Sequence, residues 1–155
     1  MSFDPVEIID YDEVYHDDFK SLNLEWLQGY HLCESHDLAV LNNPIATIIN
    51  RGGYIWLARS GDNIIGSAAL MKNSDSEYEL AKMTVSPAHR GRGISKRLIE
   101  ACLAKARELG AGRISLFSNH QLVTALKLYE KYGFQYVEVE DSPFETADVK
   151  MELVL

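Results

Sequence analysis

The sequence predicts a layered α/β fold, an α+β arrangement in which one mixed sheet of about six or seven strands is flanked by helices. Three observations predict it. Short apolar runs bounded by turn residues interleave with two long stretches of helical periodicity. The 155 residues, 46% hydrophobic and 25% charged, suit a globular domain with its own core rather than a disordered or fibrous chain. No internal repeat or linker-like tract divides them, so residues 1–155 read as a single domain.

In chain order, Val6–Asp10 alternates apolar and polar residues as a first strand. Residues 12–28 read as a helix, with Val14, Phe19, Leu22, Leu24 and Trp26 at apolar positions and Gly29 as its stop. A short helix over residues 35–41 follows, and Asn43-Pro44 opens another turn through Ile49, since proline suits the first helical position. Residues 54–58 and 64–70 are strand-like runs around Ser60-Gly61-Asp62-Asn63, which reads as a hairpin. Residues 78–85 form the next strand, and Pro87, lacking an N–H, stops the pairing. Residues 94–109 are the clearest helix: Ile94, Leu98, Cys102 and Ala106 recur every four residues, and Gly110 closes it. Residues 113–117 are strand-like. Residues 122–132 form a second clear helix, with Leu122, Ala125, Leu126 and Tyr129 on one stripe and Gly133 at its end. Residues 134–140 and 149–154 are expected to be the last strands, paired with each other around a Ser142-Pro143 turn.

Charge and composition exclude several functions. Fifteen basic residues against 23 acidic give a net charge of -8, which disfavours nucleic-acid binding. No apolar run reaches the roughly 20 residues of a membrane helix, and the acidic N-terminus is unlike a secretory signal, so a cytoplasmic location without membrane partners is expected. Cys33 and Cys102 show neither CxxC nor metal-ligand spacing, and no metal site is expected. The charge is segregated: seven acids and no Lys or Arg in residues 1–18, four Lys or Arg and no acid in residues 89–97.

The chemistry-bearing segment is Val85-Ser86-Pro87-Ala88-His89-Arg90-Gly91-Arg92-Gly93-Ile94-Ser95, where a strand ends, a glycine-rich turn follows and a long helix begins. Glycines let consecutive N–H groups point into one concavity, and a helix N-terminus adds free donors and partial positive charge. Arg90, Arg92, Lys96 and Arg97 add full charges, which makes a phosphate site. A Walker loop is absent, and Gly91-x-Gly93 reaches Lys96 where a dinucleotide fingerprint needs its third glycine.

This segment resembles the coenzyme A loop of the GCN5-related N-acetyltransferases (GNAT). The family signature (Q/R)-x-x-G-x-(G/A) maps onto Arg90-Gly91-Arg92-Gly93-Ile94-Ser95, with Ser95 departing at the last position. Asn119 and then Ala125-Leu126-Lys127-Leu128-Tyr129-Glu130-Lys131-Tyr132-Gly133-Phe134 resemble the family's N…A-x-x-L-Y-x-x-x-G-F block. The resemblance covers residues 53–155 by motif and the first 50 by position alone. It implies a GNAT-like domain that moves an acetyl group from acetyl-CoA directly to an amine, a small-molecule amine being favoured. The alternatives are a non-catalytic CoA-binding regulatory module and an acetyltransferase of protein amino groups. Many relatives pair as dimers, so a homodimer is left open.

The resemblance also implies roles. The N–H groups of Gly91, Arg92, Gly93, Ile94 and Ser95 would hold the pyrophosphate beside Arg90. The strand backbone near Met83 and Val85 would hold the pantetheine arm. Tyr129 would be the general acid that protonates the departing thiolate, although its apolar stripe also fits a core aromatic. Asn119 would reach the cofactor arm or cap the following helix. Glu79 would be the base, often acting through water; period-two alternation puts it on one face with Ala81, Met83 and Val85. Glu34 and Asp37 are the other carboxylates that could meet the amine. The acids of residues 1–18 and 138–148 suggest a cationic acceptor drawn in by electrostatic steering.

Overall fold

A computed structural model describes residues 4–140, 142 and 144–155. Seven strands form one sheet: β1 (Val6–Asp10), β2 (Tyr54–Ser60), β3 (Asn63–Lys72), β4 (Glu77–Val85), β5 (Arg113–Ser118), β6 (Gln135–Val137) and β7 (Val149–Val154). Their spatial order is β1-β2-β3-β4-β5-β7-β6. Only β4 and β5 run parallel, which is the mixed sheet expected from sequence. Ser60 pairs with Asn63, so the β2–β3 hairpin turns on Gly61-Asp62, with Gly61 at φ +58°.

Helices cover both faces. Gly66 and Ser67 are adjacent on β3 and so point to opposite sides. A Cβ on Gly66 would touch Leu98 of α4 (Ile94–Glu108), whereas Ser67 bonds Asn23 of α1 (His16–Gly29). On the α4 face, Leu98, Ile99, Cys102, Leu103 and Ala106 pack against Leu70, Leu80 and Ile114. On the α1 face, Phe19 and Leu27 pack with α2 (Ser35–Asn42) and the short α3 (Pro44–Thr47) over Ile55, Leu57 and Ala69. The helix α5 (Val123–Lys131) places Tyr129 in the first core, and Leu122 just before it belongs to the second.

Two expectations change. The strand expected over residues 134–140 is only Gln135–Val137, because β7 pairs with β6 just from Lys150 to Glu152 and the chain beyond Val137 leaves the sheet to cross toward α2. Pro143, expected in the turn there, lies outside the described residues. The alternation through β4 also breaks. Ser67 pairs with Thr84 and Ala69 with Ala81, so Lys82 and Met83 together oppose Ala68 in a β-bulge, with Lys82 at φ +51°. The extra residue turns Val85 onto the α4 face with Leu80, and Met83 packs there too. Glu79 therefore shares a face with Ala81 but not with Met83 and Val85.

Candidate active site

The strands β4 and β5 pair only where Glu77–Glu79 meets Arg113–Ser115. Beyond that point they diverge, and the main chain of β4 from Leu80 to Val85 faces a cleft instead of a partner strand. A groove of about 530 Å3 runs from this cleft to the start of α4, lined by Met83, Val85, Arg90, Gly91, Gly93, Ile94, Ser95 and Lys96 on one side and by α5 on the other. Gly91 and Gly93 sit at φ +78° and +75°, conformations that cost an L side chain about 1–2 kcal/mol. A Cβ at either would meet no protein atom within 4 Å, so the glycines are there for the turn and the open approach. No side chain caps α4, leaving its first N–H groups directed at the groove.

This cradle suits a phosphate. The cations around it are more dispersed than the sequence implied. Arg90 donates its Nε–H to the Val85 carbonyl (3.1 Å), and Arg97 points away to the Val6 carbonyl on β1 (2.8 Å). Arg92 is exposed and outside the groove lining. Thr84, whose buried hydroxyl has no hydrogen-bond partner among the described residues, also lines the groove.

At the far end of the cleft lies a cavity of about 110 Å3 that shares Trp26, Met83, Leu122, Ala125 and Tyr129 with the groove. Tyr129 is 8% exposed, and burial, with a lesser effect of Cys102, pushes its hydroxyl up so that it stays protonated. Glu79 stands in the cavity wall. Burial raises its carboxyl from 4.5 to about 7, against the opposing pull of Lys82 and Lys150.

Lys82 was not among the residues singled out from sequence. Its ammonium pairs with Asp37 Oδ1 at 2.6 Å, with the two side chains 6% and 3% exposed, and lies 5.5 Å from the Phe144 ring centre. The bulge makes this reach possible, and it is held from behind: Ser67 donates its hydroxyl to the Lys82 carbonyl (2.7 Å), and Asn23 donates to Ser67 (3.0 Å). A lone lysine inside Leu80-Ala81-Lys82-Met83 was the available signal, but nothing nearby in sequence shows that Asp37 answers it.

The other carboxylates considered from sequence have structural partners. Asp37 also accepts from the Glu34 N–H, completing a capping box at the start of α2. Glu34 accepts from the N–H groups of Glu145 (2.9 Å) and Thr146 (3.0 Å) and from the Thr146 hydroxyl. Burial alone would raise Glu34, but the Thr146 hydroxyl and these two amides outweigh it and hold the carboxyl below its ordinary value. Asn119 donates to the Thr146 carbonyl (2.7 Å) and accepts from the Gln121 N–H (3.0 Å), so its amide ties the turn before α5 to the same crossing segment. His120 bonds Asp148. These contacts stretch residues 144–148 over the cavity, with Phe144 against His36.

The family model for the acetyltransferase (GNAT) family matches residues 11–134. The chain belongs to that family. GNAT enzymes use acetyl-CoA. The chain is 31% identical to N-acetyltransferase family 8 member 2 of Rattus norvegicus over 66% of its own length and 46% of that protein's, and it spans about half the length of the rodent relatives it matches. It is 27% identical to the uncharacterized N-acetyltransferase YvbK of Bacillus subtilis (strain 168), over 72% of this chain and 74% of that one. Its fold matches an acetyltransferase of the GNAT family from Staphylococcus aureus Mu50 with a TM-score of 0.89 and 22% identity, covering 97% and 99% of the two chains. The PaiA N-acetyltransferase from Thermoplasma acidophilum, solved in complex with coenzyme A, matches with a TM-score of 0.78 and 16% identity, over 97% of this chain and 99% of that one. Among the described residues no helix is long and apolar enough to cross a membrane and no cluster of His, Cys, Asp and Glu suits a metal ion.

Proposed function

We propose that this GNAT domain is an acetyl-CoA-dependent N-acetyltransferase acting on a small-molecule amine. One observation carries the reading: a phosphate-suited cradle at α4 and a carboxylate-bearing cavity open into one another across the β4–β5 divergence, with Tyr129 in the wall of both. Acetyl-CoA, when bound, supplies an activated acetyl thioester. The N–H groups of Gly91, Arg92, Gly93, Ile94 and Ser95, with Arg90 nearby, would take its pyrophosphate, and the β4 backbone at Met83 and Val85, beyond the stretch that pairs with β5, would take the extended arm. Asn119 supports this by anchoring the turn into α5 rather than by a free amide.

An amine attacks only when neutral, so the site needs a proton acceptor on one side and a donor for the leaving thiolate on the other. Glu79 fits the first role. Its raised value lets it hold a proton near neutral pH and still be ionised in slightly alkaline solution. Tyr129 fits the second, because its burial keeps the hydroxyl proton in place until a thiolate stands beside it.

The sign of the pH dependence follows. Below about 7 Glu79 is protonated and unable to accept, so kcat/KM for a good amine falls toward acid pH and levels off above about 7. Thiol release, followed across pH with purified protein, is expected to show that acid limb. Glu79→Gln should lower the rate about 100-fold and abolish the limb, and Tyr129→Phe, which keeps the packing, should lower kcat by a similar factor. An unchanged profile in both variants removes these assignments. If acetyl-CoA binds by calorimetry and no amine releases thiol, the domain is a binding module instead.

A further inference from the structure

The cavity beyond Tyr129 also restricts which amine can enter. At about 110 Å3 it admits a compact group, and its walls include Trp26, Leu27, Leu32, Leu116, Phe117 and Phe144. Three charged side chains line it: Asp37, Glu79 and Lys82. Lys82 and Asp37 neutralise each other at 2.6 Å and are nearly inaccessible, which leaves Glu79 as the one carboxylate there without an ion-pair partner among the described residues. Steering by the acidic N-terminus finds no local support. Asp4, Glu7 and Asp10 lie on or beside the edge strand β1, three strands from β4, and none of the acids from Asp12 to Asp18 lines the cavity.

Building on the acetyl-transfer reading, we propose that the acceptor is a singly charged primary amine on a compact apolar body. Its ammonium sits at Glu79 and its body against Trp26 and Phe144. A diamine or polyamine would carry a second ammonium into an apolar wall or against the Lys82–Asp37 pair, whose carboxylate is already committed to Lys82, so that nothing compensates it. An acceptor with its own carboxylate near the amine would face Glu79. Phe144 is the specificity-determining residue of this arrangement, since it closes the apolar wall from the crossing segment while Glu34 and Asn119 hold the adjoining backbone.

The test compares kcat/KM at saturating acetyl-CoA for 2-phenylethylamine, 3-methylbutylamine, 1,4-diaminobutane and spermidine. Both apolar monoamines are expected to exceed both polycations at least tenfold. Phe144→Ala is expected to raise the ratio of KM for 2-phenylethylamine to KM for ethylamine about tenfold, the scale of one lost apolar contact, and Phe144→Leu to restore most of it. A preference for 1,4-diaminobutane or spermidine, or an unchanged KM ratio in Phe144→Ala, overturns the proposal and leaves acetyl transfer standing. Bound acetyl-CoA with no thiol release from any amine overturns both.

Discussion

Lys82 occupies a backbone conformation that side chains other than glycine rarely adopt, at φ +51°, inside a strand and beside the cavity. Such strain persists where its surroundings hold it, and here they do: Asn23, Ser67 and Asp37 fix its carbonyl and its ammonium. A charge this deep is tolerated because it is paired. Lys82→Met leaves the buried Asp37 side chain without its ion-pair partner, and should cost about 3–5 kcal/mol in urea unfolding. The double variant Lys82→Met/Asp37→Leu should recover most of that. It would still lack the bond from the Glu34 N–H to Asp37, worth about 1 kcal/mol. If the double variant were less stable than Lys82→Met, the pair would not be coupled as the geometry requires.

The elements differ in how plainly the sequence announces them. The helix α4 was legible because Ile94, Leu98, Cys102 and Ala106 all fall on its buried stripe and its cap is Gly93. The strand β6 was overextended because Tyr136, Val137 and Val139 look like strand residues yet are exposed, and only Gln135–Val137 finds partners at the sheet edge. The turn into α4 joins element to function, and Gly93 tests it. A valine there meets no protein atom at its Cβ, so the fold should survive with about 1–2 kcal/mol lost to backbone strain. The side chain would instead project into the groove, and affinity for acetyl-CoA by calorimetry should fall at least tenfold. Undiminished binding in a folded Gly93→Val protein would put the pyrophosphate elsewhere.

At the scale of the whole molecule, the candidate site is assembled from α1, α2, β4, β5, α5 and the segment crossing from β6 to β7. Glu34 bridges a gap of more than a hundred residues to hold that segment. Glu34→Ala should therefore speed amide exchange at Glu145 and Thr146 while leaving the amides of α4 unchanged, and equal protection in the variant would assign the hold to Asn119 alone. The sequence by itself determined the layered fold, the glycine turn and both long helices, because periodicity and turn residues are properties of neighbouring residues. Only the tertiary structure decided that a bulge turns Val85 away from Glu79, that Lys82 answers Asp37 at a separation of 45 residues, and that Asp4, Glu7 and Asp10 lie on or beside a distant edge strand. Those facts depend on which strands pair in which register. That is settled by burying two faces of one sheet at once, and no local stretch of chain records it.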